Sequence, residues 1–362
     1  NFYDPYEWQW QNGCSRWDLL DVVRMTRALR PDGIEWPFTS DGKPANRLEM
    51  LTKANGLLHD AAHDALSDVH ATIAVAKLIK DKQPDLFNYL QNNRNKQAVA
   101  KLVNAGQPFI YTSGRYPSAT GHTTAVVKLV DHPQKDSALV YDLRHDPTPF
   151  LQMSPAELAD AWRYKKDRTA EDVSLPVKVI KFNRCPTVAQ LGVLKGAEER
   201  LQLSVAQIEQ NLKLLKAGQA ALTTNILKAI EILDAERGAA PQDVDQQLYD
   251  GFLSDTDKLA SRAVRAAEAK DLPQFTDKLH DQRLQKLLPR YQARNYPASL
   301  SGEQREVWEN HIKETLLGGG PNSRLAQYFA KLQKLASQNL TSQQEYILTE
   351  LQLYGESITP EL

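Results

Sequence analysis

Between Phe109 and Phe182 the period of the chain changes. Four short β-branched runs, Phe109 to Thr112, Thr123 to Val130, Ala138 to Leu143 and Val177 to Phe182, are separated by Gly, Pro and Asp. That pattern reads as strands joined by turns. Most of the remaining chain carries apolar residues at helical spacing. A chain built this way must place a small antiparallel barrel or sheet between two helix-rich pieces, which makes it an α+β multidomain protein. One helix, Pro155 to Tyr164, is predicted between strands, with Ser154 as its cap and Pro155 at its first position.

Upstream of the strands, Ser15 to Leu29 has helical periodicity, with Leu19, Leu20, Val23 and Leu29 as the expected buried stripe and Arg30-Pro31-Asp32-Gly33 as the stop. Leu48 to Ala54 reads as a short helix ended by Asn55-Gly56. Asp64 can cap the next helix, whose buried face is expected to be Leu66, Val69, Ile73 and Ala76. One further helical stretch spans Leu86 to Val103. From about residue 190 onward helices are predicted near 203–216, 221–236, 256–270, 277–292, 302–316 and 323–336, and from Ser342 to Leu353. Gly238, Pro241, Pro273, Pro297 and Gly318-Gly319-Gly320-Pro321 break them, and no fixed repeat length indicates a solenoid. Three domains are expected, at 1–83, 84–238 and 239–362.

With a net charge of −1, the field of the whole molecule does not draw in nucleic acid, so phosphate binding must rely on local basic patches. Cys14 and Cys185 lie far apart in sequence, with no CxxC or Cys/His partner, which argues against a zinc site or a disulfide framework. No apolar run approaches membrane-spanning length and no signal peptide is visible, so a soluble cytoplasmic protein is expected. The first residue is Asn1 rather than Met, and Asn1 to Trp10 reads like the interior of a folded domain, so the natural protein is expected to begin upstream.

The chemistry concentrates in His63-Asp64-Ala65-Leu66-Ser67-Asp68. A histidine just ahead of a helix and a carboxylate one turn inside it suit a proton acceptor beside a metal-bound phosphate, and so phosphodiester hydrolysis. Mg²⁺ prefers oxygen ligands. The spacing alone occurs at many helix starts, where capping explains it. A rival pattern, His59-Asp60 with His63-Asp64, puts two histidines on one helical face and suggests an HD-type phosphohydrolase. The other histidines form no second cluster, and His59 is expected to be a solvated loop residue. The stretch Asn1 to Trp10 is dense in aromatics. It suits core packing for part of its side chains and base stacking for the rest, with Arg24 and Arg47 available for phosphates.

The order Arg47 to Gly56, His63 to Asp68, Ala71-Thr72 resembles the third exonuclease motif of the DEDDh nucleases, an RNase-H-like superfamily. A more specific resemblance runs the whole length. Asn1 to Trp10, Ser15 to Val22, Ala28 to Ile34, Leu51 to Gly56, Asn183-Arg184-Cys185-Pro186, Val244 to Phe252 and Tyr291 to Pro297 are, in order, similar to bacterial exonuclease I. The resemblance implies the C-terminal part of an RNase-H-like exonuclease domain, an SH3-like β-barrel domain and an all-α C-terminal domain. It implies processive Mg²⁺-dependent removal of 5′-mononucleotides from the 3′ end of single-stranded DNA, in DNA repair and recombination. Asp68 would bind metal, His63 would be the base and Arg47 would contact the substrate near the scissile phosphate. Tyr6, Trp10 and Arg24 would line the strand path, joined by Asn183, Arg184, Tyr249 and Phe252.

The resemblance also implies a partner, the acidic, aromatic C-terminal tail of single-stranded DNA-binding protein. Arg30 and Tyr89 match positions in that role, with Arg200 and Lys216 as basic neighbours. Gln107 stands about where a further basic residue is expected. A monomer is expected. In the family two more acidic motifs precede the position matching Asn1, so only Asp68 among the catalytic carboxylates can be assigned and this chain alone is expected to be nearly inactive. The alternative is a non-catalytic module that binds single-stranded DNA or a partner.

Overall fold

The structure, a computed structural model, describes residues 2–9, 12, 14–59, 64–163, 173–237 and 243–360. Its two compact units are Trp8–Ala239 and the pairing of Asn1–Glu7 with Ala240–Leu362.

In the larger unit, helices α1 (Leu19–Leu29), α2 (Leu48–Ala54), α3 (Ala65–Lys82), α4 (Pro84–Asn92) and α5 (Lys96–Asn104) precede the sheet. Strands β1 (Phe109–Thr112), β2 (Thr123–Asp131), β3 (Ser137–Asp142), β4 (Val177–Lys181) and β5 (Thr187–Gln190) form one antiparallel five-stranded sheet in the order β4-β3-β2-β1-β5. Helix α6 (Pro155–Trp162) sits between β3 and β4, and α7 (Glu198–Leu201) and α8 (Val205–Arg237) follow the sheet.

Both faces of the sheet are buried, which is why its strands read as nearly continuous apolar runs. Phe109, Tyr111, Val126, Ala138, Val140, Ile180 and Val188 point into one core with Val99 and Val103 of α5. The alternate residues Ile110, Ala125, Val127, Leu139, Tyr141 and Ala189 join a second core with α1, α6 and α8. That second core ties the helices ahead of the sheet to the sheet itself.

Several element readings need correction. Helix α1 starts at Leu19 rather than Ser15, because the Asp18 side chain accepts the Leu20 N–H at 3.0 Å and fixes the cap there. Its buried face is Val22, Val23, Met25, Thr26, Ala28 and Leu29, while Leu20 is exposed. The predicted helix from Leu86 to Val103 is two helices, because Asn95 accepts from Ala98 N and starts α5 afresh. Strand β5 was not anticipated; it follows the left-handed Cys185 and pairs with β1. The helices predicted near 203–216 and 221–236 are one, α8. Gly218 lies inside it, and Leu151 packs there so closely that a Cβ would come within 2.9 Å of it.

Helix α3 carries two apolar stripes. Ala71, Val75 and Ile79 are buried, and the stripe expected inside, Leu66, Val69 and Ile73, is 65%, 53% and 47% exposed, with Ala76 half-buried. The neighbours that cover α3 among the described residues, α1, α2 and α4, lie on the Ala71 side. Periodicity places both stripes but cannot say which one meets a partner.

In the smaller unit, α9 (Asp255–Ala266), α10 (Gln282–Asn295), α11 (Gly302–Leu317), α12 (Arg324–Ala336) and α13 (Ser342–Ser357) match the predicted helices apart from their ends. Phe2 packs among Val264, Leu272, Leu279, Leu284 and Leu288. Asp257, buried, accepts the main-chain N–H groups of His280 at 2.7 Å and Asp281 at 3.2 Å. Arg290 and Arg294 clamp Asp245, and these paired guanidinium groups hold its carboxyl well below the usual range. Among the described residues, no helix is long and apolar enough to cross a membrane.

The two stripes of α3 should separate cleanly in thermal melts. Val69→Ser and Ile73→Ser should change stability by no more than about 0.5 kcal/mol, whereas Ile79→Ala should cost about 2–5 kcal/mol.

Candidate functional site

Asp68 lies in the first turn of α3, whose N-terminus is set by the Asp64 side chain accepting from Ser67 N at 2.9 Å. One carboxylate oxygen of Asp68 is 2.8 Å from Nε2 of His59. The His59 side chain is only 4% exposed and that of Asp68 is 42% exposed. An ionised carboxylate only accepts, so Nε2 must carry the proton and donate. On the other side of the ring, Nδ1 lies 3.3 Å from Oγ1 of the buried Thr52. The expectation of a solvated His59 is therefore corrected: the ring lies inside, wedged between Thr52 on α2 and Asp68 on α3, and fixes the carboxylate from behind. Its ring is committed to Asp68, which leaves the HD-type pattern without its first histidine. His63, Asp60 and Trp10 lie outside the described residues.

Thr72 follows Asp68 by one helical turn and lines a cleft of 610 Å³ with Asp18, Arg24, Asn46, Arg47 and His122. The cleft thus brings together two of the predicted substrate-binding arginines and the face of α3 that carries Asp68. Arg47 is exposed at the N-terminus of α2. Nη1 of Arg24 is 2.6 Å from Asp21, and its Nε is buried with no hydrogen-bond partner. Burial pushes the Asp21 carboxyl up, and the Arg24 guanidinium opposes that shift. The guanidinium lies against Gly114, where a Cβ would come within 2.8 Å of Nη1.

The predicted strand-path aromatics of the smaller unit form a cluster. The Tyr6 ring lies 5.8 Å from that of Tyr249 and 5.0 Å from that of Phe252, centroid to centroid. Tyr249 is 64% and Phe252 79% exposed, so flat apolar surface is held in the open. Asn183 and Arg184 are exposed in the turn after β4.

The residues expected to hold a peptide tail are more dispersed. Arg30 donates to its neighbour's carbonyl, Leu29 O, at 2.7 Å. The Tyr89 hydroxyl accepts from Gln190 N at 3.3 Å. Lys216 is exposed on α8. Arg200 donates to Ala28 O at 2.9 Å and lines a cavity with Arg24 and Arg27. Arg27, Phe38 and His122, which border these cavities, carried no motif that would have singled them out.

Two family models match the chain, the Exonuclease I SH3-like domain over residues 94–230 and the Exonuclease I C-terminal domain over residues 242–358. Exodeoxyribonuclease I of Escherichia coli K12 is 38% identical over 99% of the chain, which covers 75% of that protein. Among solved structures, E. coli exonuclease I in complex with a 5cy-dA13 oligonucleotide superposes with a TM-score of 0.88 at 37% identity, over 99% of this chain and 76% of that one. An ExoI/SSB-Ct complex gives 0.86 at 36% identity, over 99% and 75%.

The His59–Asp68 pairing predicts non-additive substitutions. In a cycle of His59→Ala, Asp68→Ala and the double variant, read by denaturant unfolding, the coupling should be about 0.5–3 kcal/mol. Strict additivity would mean that the two side chains do not support each other.

Proposed function

The chain belongs to the exodeoxyribonuclease I family, and from that membership we propose that it serves 3′-to-5′ exonucleolytic degradation of single-stranded DNA, processively, to 5′-mononucleotides. One observation carries this reading: the likeness to exonuclease I is continuous over the chain and includes a relative held in complex with a single-stranded oligonucleotide. The arrangement of side chains supports it. Arg24 and Arg47 stand in the cleft beside α3 together with Asp18 and Glu49, so in a protein whose net charge is −1 phosphates would be recognised by these individual guanidinium groups rather than by a basic field. Tyr6, Tyr249 and Phe252 offer the stacking surface that unpaired bases of any sequence can use. Trp10, Asn183 and Arg184 also contact the strand in this reading.

For the chemistry, Asp68 would help hold a divalent ion, Mg²⁺ in this proposal, and His63 would take the proton of the attacking water. Among the described residues, no group of three or more His, Cys, Asp or Glu could enclose a metal ion. They do not form a complete site, so the remaining ligands come from outside them. His59 holds Asp68 in place and leaves it at the surface. In the same reading Arg30, Tyr89, Arg200 and Lys216 receive the acidic C-terminal tail of single-stranded DNA-binding protein, the partner type seen with a relative.

Two measurements test this. In fluorescence anisotropy with a 5′-labelled oligo(dT), the chain should bind, and Arg24→Ala with Arg47→Ala should weaken binding and flatten its salt dependence by about one counterion per lost contact. With 3′-labelled single-stranded DNA, release of mononucleotides should require a divalent ion and be lost in Asp68→Ala. Release unchanged by Asp68→Ala would refute the metal role of Asp68, and absence of any DNA binding would refute the function.

A further inference from the structure

A second cavity, of 290 Å³, opens beside the cleft and shares Arg24, Pro44, Asn46 and His122 with it. Its walls come from α1, the segment after it and the loop between β1 and β2. Gly121 lets that loop approach: a Cβ there would stand 3.0 Å from that of Ala28 on α1. On the opposite wall, Phe38 and Pro44 are bridged across the tight turn between them, which holds the Phe38 ring outward with 59% of its surface exposed.

Arg24, Arg27 and Arg200 line this cavity, and among the described residues no Asp or Glu lines it; Asp21, the ion-pair partner of Arg24, stands outside the lining. Arg27 donates to the carbonyls of Ala45 at 2.8 Å and Pro37 at 3.0 Å and to the Asn46 side chain at 3.3 Å, all neutral acceptors. Its guanidinium lies 4.8 Å from the centroid of the Phe38 ring and 5.6 Å from that of Trp36. Burial lowers its hold on its proton, as expected for a cation without a carboxylate partner. Arg200 is likewise engaged by a carbonyl, that of Ala28. Arg24 is paired through Nη1 with Asp21 at 2.6 Å, and its buried Nε has no hydrogen-bond partner among the described residues. Guanidinium groups with donors to spare suit the oxygens of a phosphate.

We propose that this cavity is a binding site for one nucleotide, the base stacking on Phe38 and the phosphate taken by Arg24 and Arg200. Its size sits at the lower end of small-ligand sites, as a single nucleotide requires. An aromatic ring with one face backed by a guanidinium gives a base a flat surface without selecting its identity. The site rests on the single-stranded DNA reading for its source of nucleotides. That source is either a nucleotide within the strand or a free 5′-mononucleotide.

Isothermal titration calorimetry of the full chain distinguishes these, using dAMP, deoxyadenosine and the oligonucleotide (dA)10 against the wild type, Phe38→Ala and Arg200→Gln. If free mononucleotides enter, dAMP should saturate one site per chain, Phe38→Ala should weaken it about tenfold, and Arg200→Gln should weaken dAMP but not deoxyadenosine. If only nucleotides within a strand enter, dAMP should give no heat and (dA)10 should weaken about tenfold in Phe38→Ala. Both results support the site. Binding of (dA)10 and dAMP unchanged by either substitution overturns it and leaves the DNA reading standing. No binding of (dA)10 to the wild type removes the DNA reading itself, and the dAMP titrations then decide the cavity alone. Should Phe38→Ala fail to fold, Arg200→Gln, exposed on α7, carries the test.

Discussion

The two-sided burial of the antiparallel sheet is the constraint on which the larger unit depends. A sheet with one wet face would leave the preceding helices free to pack elsewhere. Here Ile110, Ala125 and Leu139 share a core with Val22, Met25 and Leu29 of α1, so α1 is fixed against the strands. Through α1 the sheet also fixes Arg24 and Arg27, which face the loop joining β1 and β2. Apolar packing thus sets where the cations stand. The hydrophobic contribution is non-directional, but the alternation of strand side chains turns it into a defined geometry for charge.

Pairing in the interior does comparable work for the acidic residue. Asp68 sits at a helix start, where a free carboxylate would sample several rotamers. His59 removes that freedom from the buried side while the outer side stays accessible. The arrangement follows the way carboxylate–imidazole pairs orient functional groups elsewhere. It also explains why a histidine in a stretch without regular structure, between α2 and α3, is buried: its ring bridges the two helices through Thr52 and Asp68.

Much of this was legible in the sequence, for identifiable reasons. The four β-branched runs became strands because each is bounded by turn residues, and Ser154, Asp64 and Ser15-to-Leu29 periodicity placed helices correctly to within their ends. Strand β5 was missed because Thr187 to Gln190, Thr-Val-Ala-Gln, carries no large apolar or aromatic side chain, unlike the equally short Phe-Ile-Tyr-Thr of β1. The covered face of α3 was misassigned because two stripes, one of larger and one of smaller residues, fit the same period, and size favoured the wrong one. The segments near 203–216 and 221–236 were read as two helices where α8 is one. For the site, the motif around Asp68 was visible, as were Arg24, Arg47 and the Tyr6–Tyr249–Phe252 group. The partner of Asp68 was not, since nothing in a single sequence reports that the His59 ring turns inward. Arg27 and Phe38 lie in no motif, and only the folded turn brings them together.

Gly114 links a residue with no chemistry of its own to one of the principal cations. Any side chain there would displace the Arg24 guanidinium, the mobile end of a long side chain, rather than the backbone. The fold would tolerate the change while the reach and direction of that positive charge shifted. A side chain at this loop position would therefore act through the neighbouring arginine rather than through the fold.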